Sequence, residues 1–63
     1  MKILRLKDVT NTTGLSRSTI YSYLSEGCFP KPVALGSRAV GWVESEVQDW
    51  IMIRIRERDE QAM

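Results

Sequence analysis

A glycine-centred turn between two short amphipathic segments constrains the fold of this chain more than any other feature. Gly14 can adopt the positive φ that ends a helix. Ser16 can cap the next helix by accepting a hydrogen bond from a backbone N–H of its first turn. The stretch from Thr13 to Tyr21 therefore predicts two helices joined by a tight turn, which is the helix-turn-helix motif.

Apolar spacing supports both helices. Leu6, Val9, Thr10 and Thr13 follow the i, i+3, i+4, i+7 pattern of one helix face, and Asp8 lies near the positive end of that first helix.

The second helix is predicted from about Arg17 to Glu26, because Gly27 is a natural residue to follow a helix end. Its apolar side holds Ile20, Tyr23 and Leu24. Its other side carries Arg17, Ser18, Tyr21, Ser22 and Ser25.

A β-hairpin is predicted after the second helix. Each proline of Phe29–Pro32 biases its predecessor away from α geometry, so this segment is extended. The β-like runs Val33–Leu35 and Ala39–Trp42 then flank Gly36–Arg38, a glycine-containing connection that favours a hairpin. A hairpin directly after such a helix has the arrangement of a wing. The short apolar run Ile3–Leu6 could be a strand or an entry segment.

A third helix is predicted near the end of the chain. Ser45 and Gln48 have the spacing of a capping box, and an apolar stripe follows that should pack on the first two helices. The stripe consists of Val47, Trp50, Ile51 and Ile55. Ile53 lies off this stripe and is predicted to be exposed, and the polar tail 57–63 is predicted to fray. The predicted fold is thus mainly α, a winged helix-turn-helix with three helices and a two-stranded wing, in one domain over residues 1–63.

Composition argues against catalysis. The chain has no histidine, and its single Cys28 cannot form an internal disulfide or a zinc site. Glu44 and Glu46 point apart at a helix start, where they favour the helix dipole. Gly36 and Gly41 form no phosphate-loop pattern. We expect no enzyme activity, cofactor or metal. Because no apolar run is long enough for a membrane span or a signal peptide, we expect a cytoplasmic protein.

Charge is divided unevenly along the chain. Up to Val43, six basic residues face two acidic ones, a formal charge of +4. From Glu44 onward, three basic residues face six acidic ones, a formal charge of −3. A basic front could orient the molecule toward a polyanion such as double-stranded DNA. The alternative is an ordinary solvated surface with uneven charge.

Several polar side chains are candidates for DNA contact. Arg17 could reach guanine O6 and N7 or bind a phosphate, and a solvated arginine is the alternative. Tyr21 could contact DNA or belong to the core, and Ser16 could serve as a helix cap alone. Further candidates are Ser18 and Ser22 on the second helix, Lys31 between two prolines, and Arg38 at the hairpin tip. Trp42 and Trp50 are predicted to lie in the core, and Arg54, Arg56 and Arg58 to form a solvated face.

Four segments resemble the AlpA family of small, prophage-associated transcriptional regulators of bacteria, and the resemblance covers about residues 3–55. They are Leu4–Lys7, Thr13–Tyr21, Phe29–Val33 and Gly41–Val47. The family's fold is a winged helix-turn-helix related to the MerR-type DNA-binding domain and to phage excisionases. By position, the family's recognition helix corresponds to Ser16, Arg17, Ser18, Thr19, Tyr21 and Ser22, and its wing to Gly36, Ser37 and Arg38.

The resemblance implies binding near a prophage promoter or attachment site, with an effect on integrase expression or on excision. Integrase, RNA polymerase and further copies of the chain are then the expected partners on DNA. An excisionase role and a transcriptional role stay open as alternatives. A third alternative is a protein-interaction module that uses Met52 and Ile53 of the last helix.

Overall fold

The computed structural model describes residues 1–61, which form three helices and three short strands. In chain order these are β1 (Ile3–Leu4), α1 (Leu6–Thr13), α2 (Arg17–Glu26), β2 (Val33–Ala34), β3 (Val40–Val43) and α3 (Glu44–Gln61). The predicted class, mainly helical with a small hairpin, is confirmed.

The sheet has one strand more than the predicted wing. Its order is β1-β3-β2, and both pairings are antiparallel. Ile3 pairs with Val43, and Val33 pairs with Gly41, so β3 is the central strand. The wing hairpin of β2 and β3 is thereby joined to the start of the chain.

Gly41 allows the strands to pack closely at this point. A Cβ atom at this position would collide with the Ile3 side chain and press against the Leu35 side chain and the Leu4 carbonyl oxygen. The glycine therefore serves the packing of the sheet, because no other residue would leave room for these neighbours.

The core is small and draws on almost every part of the chain. Its buried members are Leu4, Val9, Ile20, Phe29, Trp42 and Val47. Trp42 is fully buried, as predicted. Trp50 is only half-buried, and its ring lies 4.9 Å from that of Phe29 between ring centroids. One tryptophan therefore anchors the core and the other covers its edge.

One prediction about α3 is wrong. Ser45 is not the N-cap, because β3 passes directly into a helix that starts at Glu44, whose N–H donates to the Lys2 carbonyl oxygen at 2.9 Å. The residue just before β1 thus supplies an acceptor at the helix start. The helix α3 continues through Gln61, and fraying of the polar tail from residue 57 stays a prediction. Residues 62 and 63 lie outside the described part of the chain.

Exposure along α3 agrees with most of the predicted pattern. Val47 is buried and Trp50 and Ile51 are half-buried, whereas Ile55, expected in the same stripe, is 37% exposed. Ile53 is 46% exposed, which confirms its predicted place off the stripe. None of the helices within residues 1–61 has the length and apolar character needed to cross a membrane.

Candidate nucleic-acid interface

Local hydrogen bonds set the position of α2 at both ends. Gly14 has a φ of 75° and donates its N–H to the Thr10 carbonyl oxygen at 2.8 Å, which ends α1. Ser16 Oγ accepts from the Thr19 backbone N–H at 3.2 Å, which starts α2. Gly27, also at a φ of 75°, ends it. The predicted turn, cap and helix bounds are all confirmed.

The two sides of α2 have different surroundings. Ile20 is fully buried, and Tyr23 and Leu24 are half-buried against the core. The opposite side is exposed along the whole helix. It carries Arg17, Ser18, Tyr21, Ser22 and Ser25, which we call the outer face of α2. Tyr21 is 43% exposed and belongs to this face, so the structure favours the surface alternative over the core.

Two side-chain contacts order the outer face of α2. The guanidinium carbon of Arg17 lies 5.8 Å from the centroid of the Tyr21 ring, within the range of a cation–π contact. The Ser22 hydroxyl donates to a carboxylate oxygen of Glu26 at 3.3 Å. Glu26 was not among the predicted site residues, although its i, i+4 spacing from Ser22 is a usable signal.

Ser16 and Thr19 act together at the start of α2. Their hydroxyl oxygens are 2.8 Å apart, and Thr19 is half-buried. No acidic residue lies in the first turn of the helix, so its N-terminal amides face no neighbouring carboxylate within that turn. Capping is thus the demonstrated role of this pair, and their contact with DNA stays a prediction.

Two indoles hold the segment that joins α2 to the wing. Trp42 Nε1 donates to the Pro30 carbonyl oxygen at 2.9 Å, and Trp50 Nε1 donates to the Cys28 carbonyl oxygen at 2.7 Å. Sequence reasoning missed this role, although a buried indole N–H normally requires an acceptor. Lys31 follows these anchored carbonyls and is exposed. Its backbone is therefore fixed while its side chain is free to reach outward.

The wing loop carries the last predicted residues. The Leu35 N–H donates to the Ala39 carbonyl oxygen at 2.7 Å and closes the loop. Gly36, Ser37 and Arg38 are exposed between these two residues.

The predicted cations lie on three separate parts of the fold: Arg17 on α2, Lys31 on the connecting segment and Arg38 on the wing. Within residues 1–61, none of the three forms an ion pair. All three are therefore available to anions. A metal site has no support in the same part of the chain, which contains no cluster of three or more His, Cys, Asp or Glu side chains suited to an ion.

A glycine-turn helix pair followed by an antiparallel hairpin defines the winged helix-turn-helix class. The family model described as prophage CP4-57 regulatory protein (AlpA) matches residues 2–55. The chain belongs to the AlpA family.

Two relatives have closely similar sequences. The DNA-binding transcriptional activator AlpA of Escherichia coli (strain K12) is 39% identical, over 89% of this chain and 89% of its own length. An uncharacterized protein, ORF88, of Enterobacteria phage P4 is 46% identical over 90% of this chain. The chain spans 65% of the length of the phage protein.

Proposed function

We propose that this chain is a sequence-specific DNA-binding transcriptional regulator of prophage or phage origin, and that residues 1–63 act as a single winged helix-turn-helix domain on cytoplasmic DNA. The observation that carries the proposal is the outer face of α2, which is exposed, rich in hydroxyls and free of acidic residues in its first turn. The family and the printed function of the E. coli relative support it.

In this proposal α2 lies in the major groove, as the second helix of the motif does in known complexes. Arg17 points toward base edges, and a guanidinium suits guanine O6 and N7 because it donates two parallel hydrogen bonds. Ser18, Tyr21 and Ser22 line the same contact. Ser16 and Thr19 stay close to a phosphate beside the helix N-terminus, where backbone amides favour an anion.

The other cations would bind the DNA backbone on either side of α2. Arg38, with Ser37 beside it at the wing tip, contacts the minor groove or its phosphates. Lys31, whose backbone is held in place, contacts a phosphate through its side chain. These contacts add affinity without selecting a sequence, since phosphates are the same at every base pair.

The size of the domain limits its affinity. One module of this size buries roughly 600–1,000 Å² of protein surface on DNA, so a single copy binds modestly. Further copies on repeated sites, or a protein neighbour such as integrase or RNA polymerase, would then raise the occupancy of the site.

Salt dependence tests the proposed contacts. If Lys31, Arg38 and Lys7, an exposed lysine in the first turn of α1, each neutralise one phosphate, the logarithm of the binding constant should fall with the logarithm of salt concentration with a slope of about −2.7. Arg38→Ala should make the slope shallower by about 0.9. Arg58→Ala, an exposed arginine on α3 outside the predicted DNA contacts, is the matched control and should leave the slope unchanged. A wild-type slope near zero would contradict the proposal.

Two roles on DNA fit the family, and we propose the transcriptional one, through control of integrase expression, as the first. A promoter reporter should respond to the protein in the absence of integrase. The second role is that of an excisionase, which would bend attachment-site DNA beside integrase. If excision depends on the protein and the promoter reporter does not respond to it, the excisionase role is supported instead.

A further inference from the structure

The side of α3 that points away from the core combines apolar and charged residues. The helix packs on the core through Val47, Trp50 and Ile51. Away from this contact, Met52 is 55% exposed and Ile53 is 46% exposed at the middle of the helix, and Ile53 borders a groove whose other wall includes Phe29 and Val33. Covering two adjacent large apolar side chains with another surface is favourable, because removing their apolar area from water lowers the free energy.

Charges flank this apolar pair in a symmetric way. Asp49 precedes Met52 by three residues and Arg56 follows Ile53 by three, so with about 3.6 residues per turn all four project from one side of the helix. Ser45 and Glu60 extend the same side by one more turn at each end. We call these six residues the outer face of α3, and all six are exposed.

The two flanking charges are unused by the fold. Arg54 pairs with Glu57 at 3.1 Å, and Arg58 with Asp59 at 2.8 Å. Asp49 and Arg56 form no ion pair with any residue from 1 to 61. Asp49 and Arg56 therefore present an unpaired acid and an unpaired base at equal distances from the apolar centre of the outer face of α3.

We propose that a second copy of this chain covers the outer face of α3, with the two α3 helices antiparallel about a two-fold axis that passes between Met52 and Ile53. The axis brings the apolar pair of each copy together. It places Asp49 opposite the partner's Arg56, and Arg56 opposite the partner's Asp49. In such an interface each contact occurs twice, so one surface is complementary to itself.

The charge order selects both the orientation and the occupant. In a parallel pair, each Asp49 would face the partner's Asp49 and each Arg56 would face the partner's Arg56, and like charges at contact distance disfavour the pairing. Only the antiparallel arrangement pairs opposite charges on both sides of the apolar centre. A second copy supplies this pattern with the correct spacing, because Asp49 and Arg56 are separated by about 10.5 Å along each helix axis.

The interface is small, and this determines where it acts. Six residues from each copy compare with about 20–30 a side in an interface of standard size, so the free protein should associate weakly. Two copies on neighbouring DNA sites experience an effective concentration of about millimolar, at which weak association becomes cooperative binding. The inference goes beyond the proposed function and can hold without it.

Sedimentation equilibrium of the full chain, over a concentration series that reaches about millimolar, tests the interface without DNA. The wild-type mass should rise from monomer toward dimer. Asp49→Arg and Arg56→Asp each place like charges opposite one another and should weaken dimerisation about tenfold or more. An equimolar mixture of the two variants should recover it, because one variant has only basic and the other only acidic side chains at positions 49 and 56.

A matched pair of apolar-to-aspartate variants provides the control. Ile53→Asp should abolish association, whereas Leu35→Asp changes an equally exposed apolar side chain on the wing and should leave association intact. Circular dichroism of both variants verifies that the helices are retained. A wild type that stays monomeric throughout, or a variant mixture that behaves as two separate monomers, would overturn the proposal.

Binding to a DNA fragment with a single site, measured at low protein concentration, separates this outcome from that of the proposed function. A wild type that dimerises but does not bind DNA would support the interface and contradict the proposed regulator. A wild type that binds the single-site fragment but does not dimerise would support the proposed regulator and contradict the interface.

Discussion

The outer faces of α2 and α3 are built from different chemistry on helices that share one core. The outer face of α2 presents three serine hydroxyls, a tyrosine ring and one guanidinium, with no carboxylate in the first turn. The outer face of α3 alternates an acid, an apolar pair, a base and an acid. The outer face of α2 suits DNA, which has a continuous anionic backbone and exposed base edges. The outer face of α3 suits a second copy of itself, because its pattern of charged and apolar residues is self-complementary.

This difference shows why the net charge of +1 is a poor guide to function here. The acidic residues of α3 cancel the basic residues of the rest of the chain in the sum, but they lie on another element. Glu44 and Glu46 occupy the first turn of α3, where carboxylates interact favourably with the helix dipole. Six of the eight acidic residues thus lie on α3, and not on the elements that carry the predicted DNA contacts.

Both outer faces depend on the same small core, so removing its largest side chain should have the largest effect. Trp42 is fully buried and bonds the Pro30 carbonyl oxygen, so Trp42→Ala should lower the free energy of unfolding by about 3–5 kcal/mol. Stability of about 0.1 kcal/mol per residue leaves only about 1–3 kcal/mol in this 63-residue variant, so mild warming should abolish DNA binding and self-association together. Urea unfolding followed by circular dichroism measures the loss. An unchanged midpoint would contradict the proposed role of this side chain.

Arginine truncation should separate the two faces. Arg17→Ala should weaken binding to specific DNA by about 1–3 kcal/mol, because it removes the one cation of the outer face of α2. Arg56→Ala should leave single-site DNA affinity unchanged and reduce self-association. Fluorescence anisotropy and sedimentation measure the two effects. Equal loss of DNA affinity in both variants would indicate general charge attraction instead of a reading helix.

Serine truncation should separate structure from recognition within α2. Ser16→Ala removes the hydroxyl that accepts from the Thr19 N–H, and should cost about 1 kcal/mol of stability. Ser18→Ala makes the same change on an exposed side chain with no capping role, and should alter stability by less than about 0.5 kcal/mol. Thermal unfolding compares the two variants. If they lose stability equally, Ser16 is not the effective cap.

The smallest expected effect concerns the ring that supports Arg17. Tyr21→Leu should weaken DNA binding by about 0.5–1 kcal/mol, since it removes the aromatic face beneath the guanidinium. Tyr21→Phe keeps the ring and serves as the control. Should Tyr21→Phe lose as much affinity as Tyr21→Leu, the hydroxyl and not the ring is the group that matters.

The sequence was most informative where the signals are local. The bounds of α2 were predicted from Ser16 and Gly27, and the structure places them at the same residues, because a cap and a left-handed glycine act within a few residues. Pairs such as Ile3 with Val43 are forty residues apart, and nothing in a four-residue apolar run specifies such a partner. The sequence therefore leaves the third strand undecided.

Tertiary contacts also explain the remaining differences. Ser45 has the local pattern of a cap, but β3 continues into the helix and Glu44 bonds the Lys2 carbonyl oxygen instead. Helical periodicity does not show whether a residue at the border of two helix faces is buried. For Tyr21, the exposure seen in the structure was needed to distinguish the surface from the core. The anchoring of Cys28 and Pro30 by indole donors likewise depends on contacts distant in sequence.

Selection of bound sequences from random double-stranded DNA, carried out in parallel with the wild type and Arg17→Ala, tests the central claim that the outer face of α2 reads DNA. The wild type should enrich one defined site, and its repetition would show how many copies bind. Arg17→Ala should weaken that enrichment and lose preference at a guanine within the site. A wild-type pool without any enriched site, or the same site with the same preferences in both pools, would contradict the claim.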